Sequence, residues 1–141
     1  MIPSREVLLV EDNPGDVRLT REAFAATDGD HTLRAVTTGE DAMAFLERRA
    51  REDALPDLVL LDLNLPGIDG GTVLERVRSS SELRRLPVIV LTSSDDDEDV
   101  AASYRRAANA YLTKPIAPTD LVSMIGSLEA FWFDRVRLPP Q

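Results

Sequence analysis

Apolar positions along the chain fall in short blocks separated by polar breaks, and the blocks alternate between strand and helix character. Arg5 to Val10 (REVLLV) is an apolar run of strand length, closed by Glu11 and Asp12. Asn13 and Pro14 then read as a helix start, with proline tolerated in the first turn. Val17, Leu19, Ala23, Phe24 and Ala26 supply the apolar content of this first helix, and Asp28-Gly29-Asp30 breaks it. His31 to Val36 predicts a second strand. Thr38-Gly39-Glu40 opens a second helix with Ala42, Phe45 and Leu46 on one face. Asp57 to Asp62 (DLVLLD) is nearly all apolar between its acids, as expected of a strand buried on both faces.

Pro66, Gly67, Gly70 and Gly71 make a loop before a short third helix, Thr72 to Arg78. Pro87 to Leu91 (PVIVL) predicts a fourth strand. Thr92 to Asp95 offers caps for a fourth helix running to about Ala107. Ala110 to Thr113 predicts a fifth strand. Pro115 and Pro118 punctuate the turn, Thr119 caps a last helix through Val136, and Leu138-Pro139-Pro140 forms a tail. Five strands alternating with five helices imply βαβ units: an α/β, doubly wound, parallel sheet covered on both sides. No repeat, linker or second domain interrupts the pattern. The expectation is one domain over residues 1–141, with a core from about 5 to 136 and a tail from 137 to 141.

Composition narrows the function. A net charge of -9 repels nucleic-acid phosphates, which argues against direct binding to DNA or RNA. There is no cysteine, which excludes disulfides and thiolate metal sites. No apolar run approaches the ~18 residues that cross a bilayer, and Met1 to Glu6 lacks the apolar core of a signal peptide. The expected location is cytoplasmic, without membrane insertion. Fifteen arginines stand against one lysine, Lys114. Such an acidic, lysine-poor chain fits either a salt-loving source or an arginine-favouring genome. It also raises the question of what a compact ammonium does at 114 that a guanidinium would not.

Ligands of doubly wound sheets sit beyond the carboxyl ends of the strands. Those ends carry Glu11 and Asp12, Asp62, Thr92 and Ser93, and Lys114. Each has an ordinary reading: Glu11-Asp12 and Thr92 as helix caps, Asp62 as a turn residue, Lys114 as a loop charge, Tyr111 as a strand residue facing the core. His31, the sole histidine, has no partner motif and is assigned no role. Taken together the ordinary readings must all hold at the same end of four strands. Two like charges ~4 Å apart repel by ~4 kcal/mol at an effective dielectric of ~20. Three gathered carboxylates therefore call for protonation or a hard divalent ion, and few protein ligands with several waters suit magnesium. Asp62 then serves as both metal ligand and nucleophile, since a carboxylate can form an aspartyl phosphate. Lys114 supplies a second positive charge and Thr92 a hydroxyl donor.

The stretches LLVEDNPGD (Leu8 to Asp16), LVLLDLNLPGIDG (Leu58 to Gly70), PVIVLTSS (Pro87 to Ser94) and AYLTKPI (Ala110 to Ile116) resemble the response-regulator receiver family over nearly the whole chain. The resemblance implies a flavodoxin-like strand order 2-1-3-4-5 and a role in two-component signalling. In that role a sensor histidine kinase passes a phosphoryl group to Asp62 with Mg2+, or another divalent cation, bound. It further implies that Asp12 ligates the metal directly, Glu11 through water, and Asn64 through its backbone carbonyl. Thr92 and Lys114 would bind the phosphoryl oxygens, and Ser93 is suitably small beside the entry path. Tyr111 would be the aromatic switch whose ring turns inward when Thr92 moves, and Pro115 the proline often preceded by a cis bond. The protein would be a phosphoacceptor switch, not an enzyme acting on other substrates, and its signal would leave by docking to a downstream protein.

VEDNPGDVRLTREAF (Val10 to Phe24), YRRAANAYLTKP (Tyr104 to Pro115) and FWFDRVRLP (Phe131 to Pro139) are similar to stand-alone receivers partnered with phytochrome-type sensor kinases. That likeness implies a homodimer through the fourth and fifth helices and the fifth strand. Phe131, Trp132 and Phe133 cannot all face one core. An exposed aromatic would fit an interface, whereas Trp132 could equally fold back on the sheet. The rival readings are a phosphorylation-independent pseudo-receiver that serves as an interaction module, an aspartate-nucleophile phosphohydrolase, and a flavin-binding protein. The full set Asp12, Asp62, Thr92 and Lys114 opposes the first. Asn64, where such hydrolases carry an acid, opposes the second. Acidic strand ends, poor phosphate cradles, oppose the third.

Overall fold

The computed structural model describes residues 5–27 and 29–140; of the expected breaks, Asp28 lies outside them, as do the ends 1–4 and 141. Five strands, β1 (Arg5–Val10), β2 (His31–Val36), β3 (Leu58–Leu61), β4 (Val88–Thr92) and β5 (Ala110–Thr113), form one sheet in the order β2-β1-β3-β4-β5. Every pairing is parallel. The helices between them are α1 (Pro14–Ala25), α2 (Gly39–Arg51), α3 (Gly70–Ser79), α4 (Asp97–Arg105) and α5 (Pro118–Asp134).

Side chains alternate across a pleated strand, so a central strand must be apolar at every position if helices cover both faces. In β1, Leu8 and Val10 join Ala42, Leu46, Leu74 and Val77 on the side of α2 and α3. Val7 and Leu9 join Phe24, Leu121 and Ile125 on the side of α1 and α5. β3 divides the same way, Val59 and Leu61 to one core and Leu58 and Leu60 to the other. All four β3 side chains are buried, each worth ~1.5–3 kcal/mol of transfer free energy. Turning the sequence by one residue would swap the two cores, so register is fixed by packing.

Helix starts follow local chemistry. Asn13 caps α1 by accepting the Asp16 N–H, with Pro14 in the first turn, and Thr38 caps α2 by accepting the Asp41 N–H. Three expected starts are corrected. α3 begins at Gly70, not Thr72, because Asp69 is the cap and accepts the Thr72 N–H at 2.8 Å. α4 is capped by Asp96, not by Thr92 to Asp95, because β4 continues through Thr92 and keeps that residue in the sheet. α5 starts at Pro118, so Thr119 lies inside the helix and Ala117 holds the cap position without a side-chain bond. Asp57 stands outside β3 and brackets it: its carboxylate accepts the Glu6 N–H while its own N–H donates to the Glu6 carbonyl.

The late aromatics separate. Phe131 is exposed, whereas Trp132 and Phe133 pack back against the α1/α5 core. His31 is buried between Phe24 and Phe133, with Nε2 3.2 Å from Glu129 Oε1. The acidic run Asp95 to Asp99 is exposed, as expected for a solvated helix N-terminus. No described helix is long and apolar enough to cross a membrane.

Gly70 brings the start of α3 against the chain leaving β3. A Cβ there would sit 2.1 Å from the Asp62 carbonyl oxygen and 2.7 Å from Leu63 Cα, and that backbone cannot yield without moving Asp62. Gly126, inside α5, has open space around it. Urea unfolding is expected to show Gly70→Ala destabilised by about 1–3 kcal/mol and Gly126→Ala stabilised by about 0.5–1 kcal/mol.

Candidate phosphoacceptor and metal site

The parallel sheet brings the carboxyl ends of β1, β3, β4 and β5 to one edge, and the polar residues that follow them meet there. Asp62 follows β3 and is 6% exposed. Its Oδ1 accepts the Asn64 N–H at 3.0 Å and the Thr92 hydroxyl at 2.9 Å. Its Oδ2 accepts from Lys114 Nζ at 3.0 Å. Thr92, at the end of β4, is wholly buried, and its carbonyl accepts the Lys114 N–H at 2.7 Å, which fixes the stem of the lysine. Lys114 also donates to Glu11 Oε1 and, at 2.9 Å, to Asp16 Oδ2. Asp12 is exposed beside the buried Glu11, and carboxylate oxygens of Glu11, Asp12 and Asp62 all lie within 4.8 Å of one another.

The structure thus gathers Glu11, Asp12, Asp62, Thr92 and Lys114 as expected. Asn64 is exposed and is tied to the carboxylate through its backbone N–H. Glu11 also accepts the Asn13 N–H at 3.2 Å, but Asn13, not Glu11 or Asp12, is the cap of α1. Asp16 is the residue that the sequence reading missed. It sits in the first turn of α1, four positions after Asp12, and that spacing was the available signal.

Crowding shapes the ionisation. Burial pushes the Glu11 carboxyl up to about 7, with the nearby Asp62 charge adding to burial and Lys114 opposing both. Burial would also raise Asp62, yet the Asn64 N–H, Glu11 and Lys114 outweigh it and hold Asp62 below the usual carboxylate range. Burial disfavours the Lys114 ammonium, but hydrogen bonds to Glu11, Asp16 and Asp62 raise it above its ordinary value, so it stays charged. The arrangement is an ionised, anchored carboxylate flanked by a charged ammonium. Its donor set is all oxygen, which suits a hard divalent ion.

One expectation changes. The Lys114–Pro115 bond is trans, like every described peptide bond; the trans amide is the inherently favoured form. The Tyr111 ring packs against the α2/α3 core and its hydroxyl donates to the Ser94 carbonyl at 2.8 Å, while the Thr92 hydroxyl reaches Asp62. Burial and the nearby Asp99, Asp95 and Asp96 raise its phenol, partly offset by the Ser94 bond.

The sequence pattern of the response regulator receiver domain matches residues 7–126. The response regulator Rcp1 of Synechocystis sp. is 42% identical over 139 residues, covering 97% of this chain and 95% of the relative. The crystal structure of the phosphorylated cyanobacterial phytochrome response regulator RcpA superimposes with a TM-score of 0.92 at 38% identity, covering 98% and 100% of the two chains. The crystal structure of the Mn(2+)-bound form of Rcp1 gives 0.88 at 43% identity, covering 96% and 99%. Alike in sequence, strand order and backbone course, the chain belongs to the response regulator receiver domain family.

Proposed function

We propose that the protein is a response regulator whose Asp62 takes a phosphoryl group from a sensor histidine kinase. The observation that supports this most strongly is the environment of Asp62. One oxygen is held by the Asn64 N–H and the Thr92 hydroxyl, the other by Lys114, and Glu11 and Asp12 stand within metal-sharing distance. A carboxylate oxygen of Asp62 attacks phosphorus, the P–N bond of phosphohistidine breaks, and the leaving imidazole keeps the electron pair and takes a proton. Lys114 and Thr92 then turn their donors to the phosphoryl oxygens. Magnesium, held by Asp12, Asp62, the Asn64 carbonyl and, through water, Glu11, would supply charge neutralisation for those oxygens. The protein catalyses only its own phosphorylation and dephosphorylation, and it acts in the cytoplasm.

The kinase is proposed to be phytochrome-type, on the strength of the likeness to the phytochrome response regulator RcpA. Output runs from Thr92, the last residue of β4, to the Ser94 carbonyl two residues on, which holds Tyr111. The large apolar side chains exposed among the described residues, Tyr104, Ile116 and Phe131, lie on α4, the β5–α5 turn and α5. Exposed apolar side chains of this kind suit a homodimer or a downstream protein. Nothing in the geometry favours the pseudo-receiver, since the acceptor, hydroxyl and lysine are already in mutual contact.

With a small phosphodonor and magnesium, mass spectrometry is expected to show one added phosphoryl group on the wild type and none on Asp62→Asn; equal uptake by both would refute the acceptor. Lys114→Gln, which removes one positioned charged donor, is expected to slow phosphorylation by about 100-fold in the same assay.

Protonation of Glu11 competes with a metal. With its folded value at about 7 against an ordinary 4.5, magnesium is expected to bind about tenfold more weakly at pH 6 than at pH 8, by calorimetry. In the metal-free protein the folded state holds an extra proton between those two values. Glu11 therefore makes the metal-free protein less stable as pH rises from about 4.5 through about 7. Magnesium is accordingly expected to raise the melting temperature more at pH 8 than at pH 6.

A further inference from the structure

We propose that Asp16 is a positioning residue that draws the Lys114 ammonium away from the metal-binding carboxylates. This rests on the reading of Glu11, Asp12 and Asp62 as the cation site. A lysine ammonium has three N–H donors, and here they meet three carboxylates, those of Glu11, Asp16 and Asp62. Glu11 and Asp62 belong to the trio whose oxygens lie within 4.8 Å of one another; Asp16 does not. An ammonium seated on Glu11 and Asp62 occupies oxygens that a divalent ion needs and adds like charge beside it.

Asp16 offers the same ammonium a seat outside the trio. Its backbone is fixed: the Asn13 side chain accepts its N–H at 3.1 Å and its carbonyl accepts the Thr20 hydroxyl at 2.8 Å. Its side chain is about a third exposed, so its charge is not stranded by burial. When a cation enters, the bond to Asp16 is the one Lys114 can keep without standing on a metal ligand. Lys114 then remains within reach of Asp62 for the incoming phosphoryl group. Without Asp16, the lysine's remaining carboxylate partners among the described residues are Glu11 and Asp62, and lysine and metal compete for them. Asp16 thus tunes metal affinity through Lys114 and touches neither metal nor phosphate itself.

Calorimetric titration with magnesium alone at pH 8 tests this as a double-mutant cycle. Asp16→Asn is expected to weaken magnesium binding about five-fold when Lys114 is present, and by less than about two-fold in the Lys114→Met background. Asp16→Glu, which keeps the charge, is expected to bind magnesium like the wild type. Equal weakening in both backgrounds would mean that Asp16 acts as a long-range charge on the metal, and would overturn the proposal. Unchanged binding in Asp16→Asn would overturn it as well. If the wild type bound no magnesium, the cation-site reading itself would fail, which the wild-type titration reports separately from the cycle.

Discussion

The structure turns on an electrostatic conflict at one edge of the sheet. Three carboxylates, those of Glu11, Asp16 and Asp62, accept from one ammonium, Lys114, and a fourth, Asp12, lies near Glu11 and Asp62. Repulsion among acids at such distances is worth several kcal/mol per pair at the effective dielectric of a protein surface. One lysine does not neutralise four acids, and the remainder is partly relieved by the proton that burial favours on Glu11. A proton is a poor substitute for a divalent ion, which would release that repulsion and leave the oxygens in use. The all-oxygen donor set at this edge suits a hard divalent ion, whose charge would also neutralise phosphoryl oxygens beside Asp62.

The rest of the fold serves to hold that conflict in place. Parallel strands put all their carboxyl ends on one edge, which an antiparallel sheet would scatter. β1, β3 and β4 are packed on both faces, so Glu11, Asp62 and Thr92 issue from backbone that cannot slip in register. Gly70 lets α3 close on the Asp62 carbonyl, and the Lys114 N–H is clasped by the Thr92 carbonyl. The same clasped strand ends lead outward. Thr92 joins the acceptor to β4, and two residues later the Ser94 carbonyl holds the Tyr111 hydroxyl. Asp62 is thus joined to Tyr111 by two hydrogen bonds and a short stretch of backbone from Thr92 to Ser94.

Much of this was legible in the amino-acid order, and what was not has physical causes. β1, β2 and β5 match their predicted bounds because each is a short apolar block between clear polar breaks. The site could be read because Glu11, Asp12, Asp62 and Lys114 follow strands and Thr92 ends one. Helix starts were harder where several cap residues adjoin: in Thr92 to Asp97 every side chain can accept an N–H, and only the length of β4 decides among them. Asp16 escaped notice because it belongs to a helix, and its place at the site depends on how α1 is rotated over the sheet. The trans bond at Pro115 depends on loop packing, which has no local signature.

The most direct test of the central claim is the anomalous scattering of manganese in crystals of this protein grown near pH 8. The account predicts one strong peak among the carboxylates of Glu11, Asp12 and Asp62, with Lys114 displaced from Glu11 and retained by Asp16. A fully bonded Lys114 with no manganese at that edge, or manganese bound only elsewhere, would contradict it.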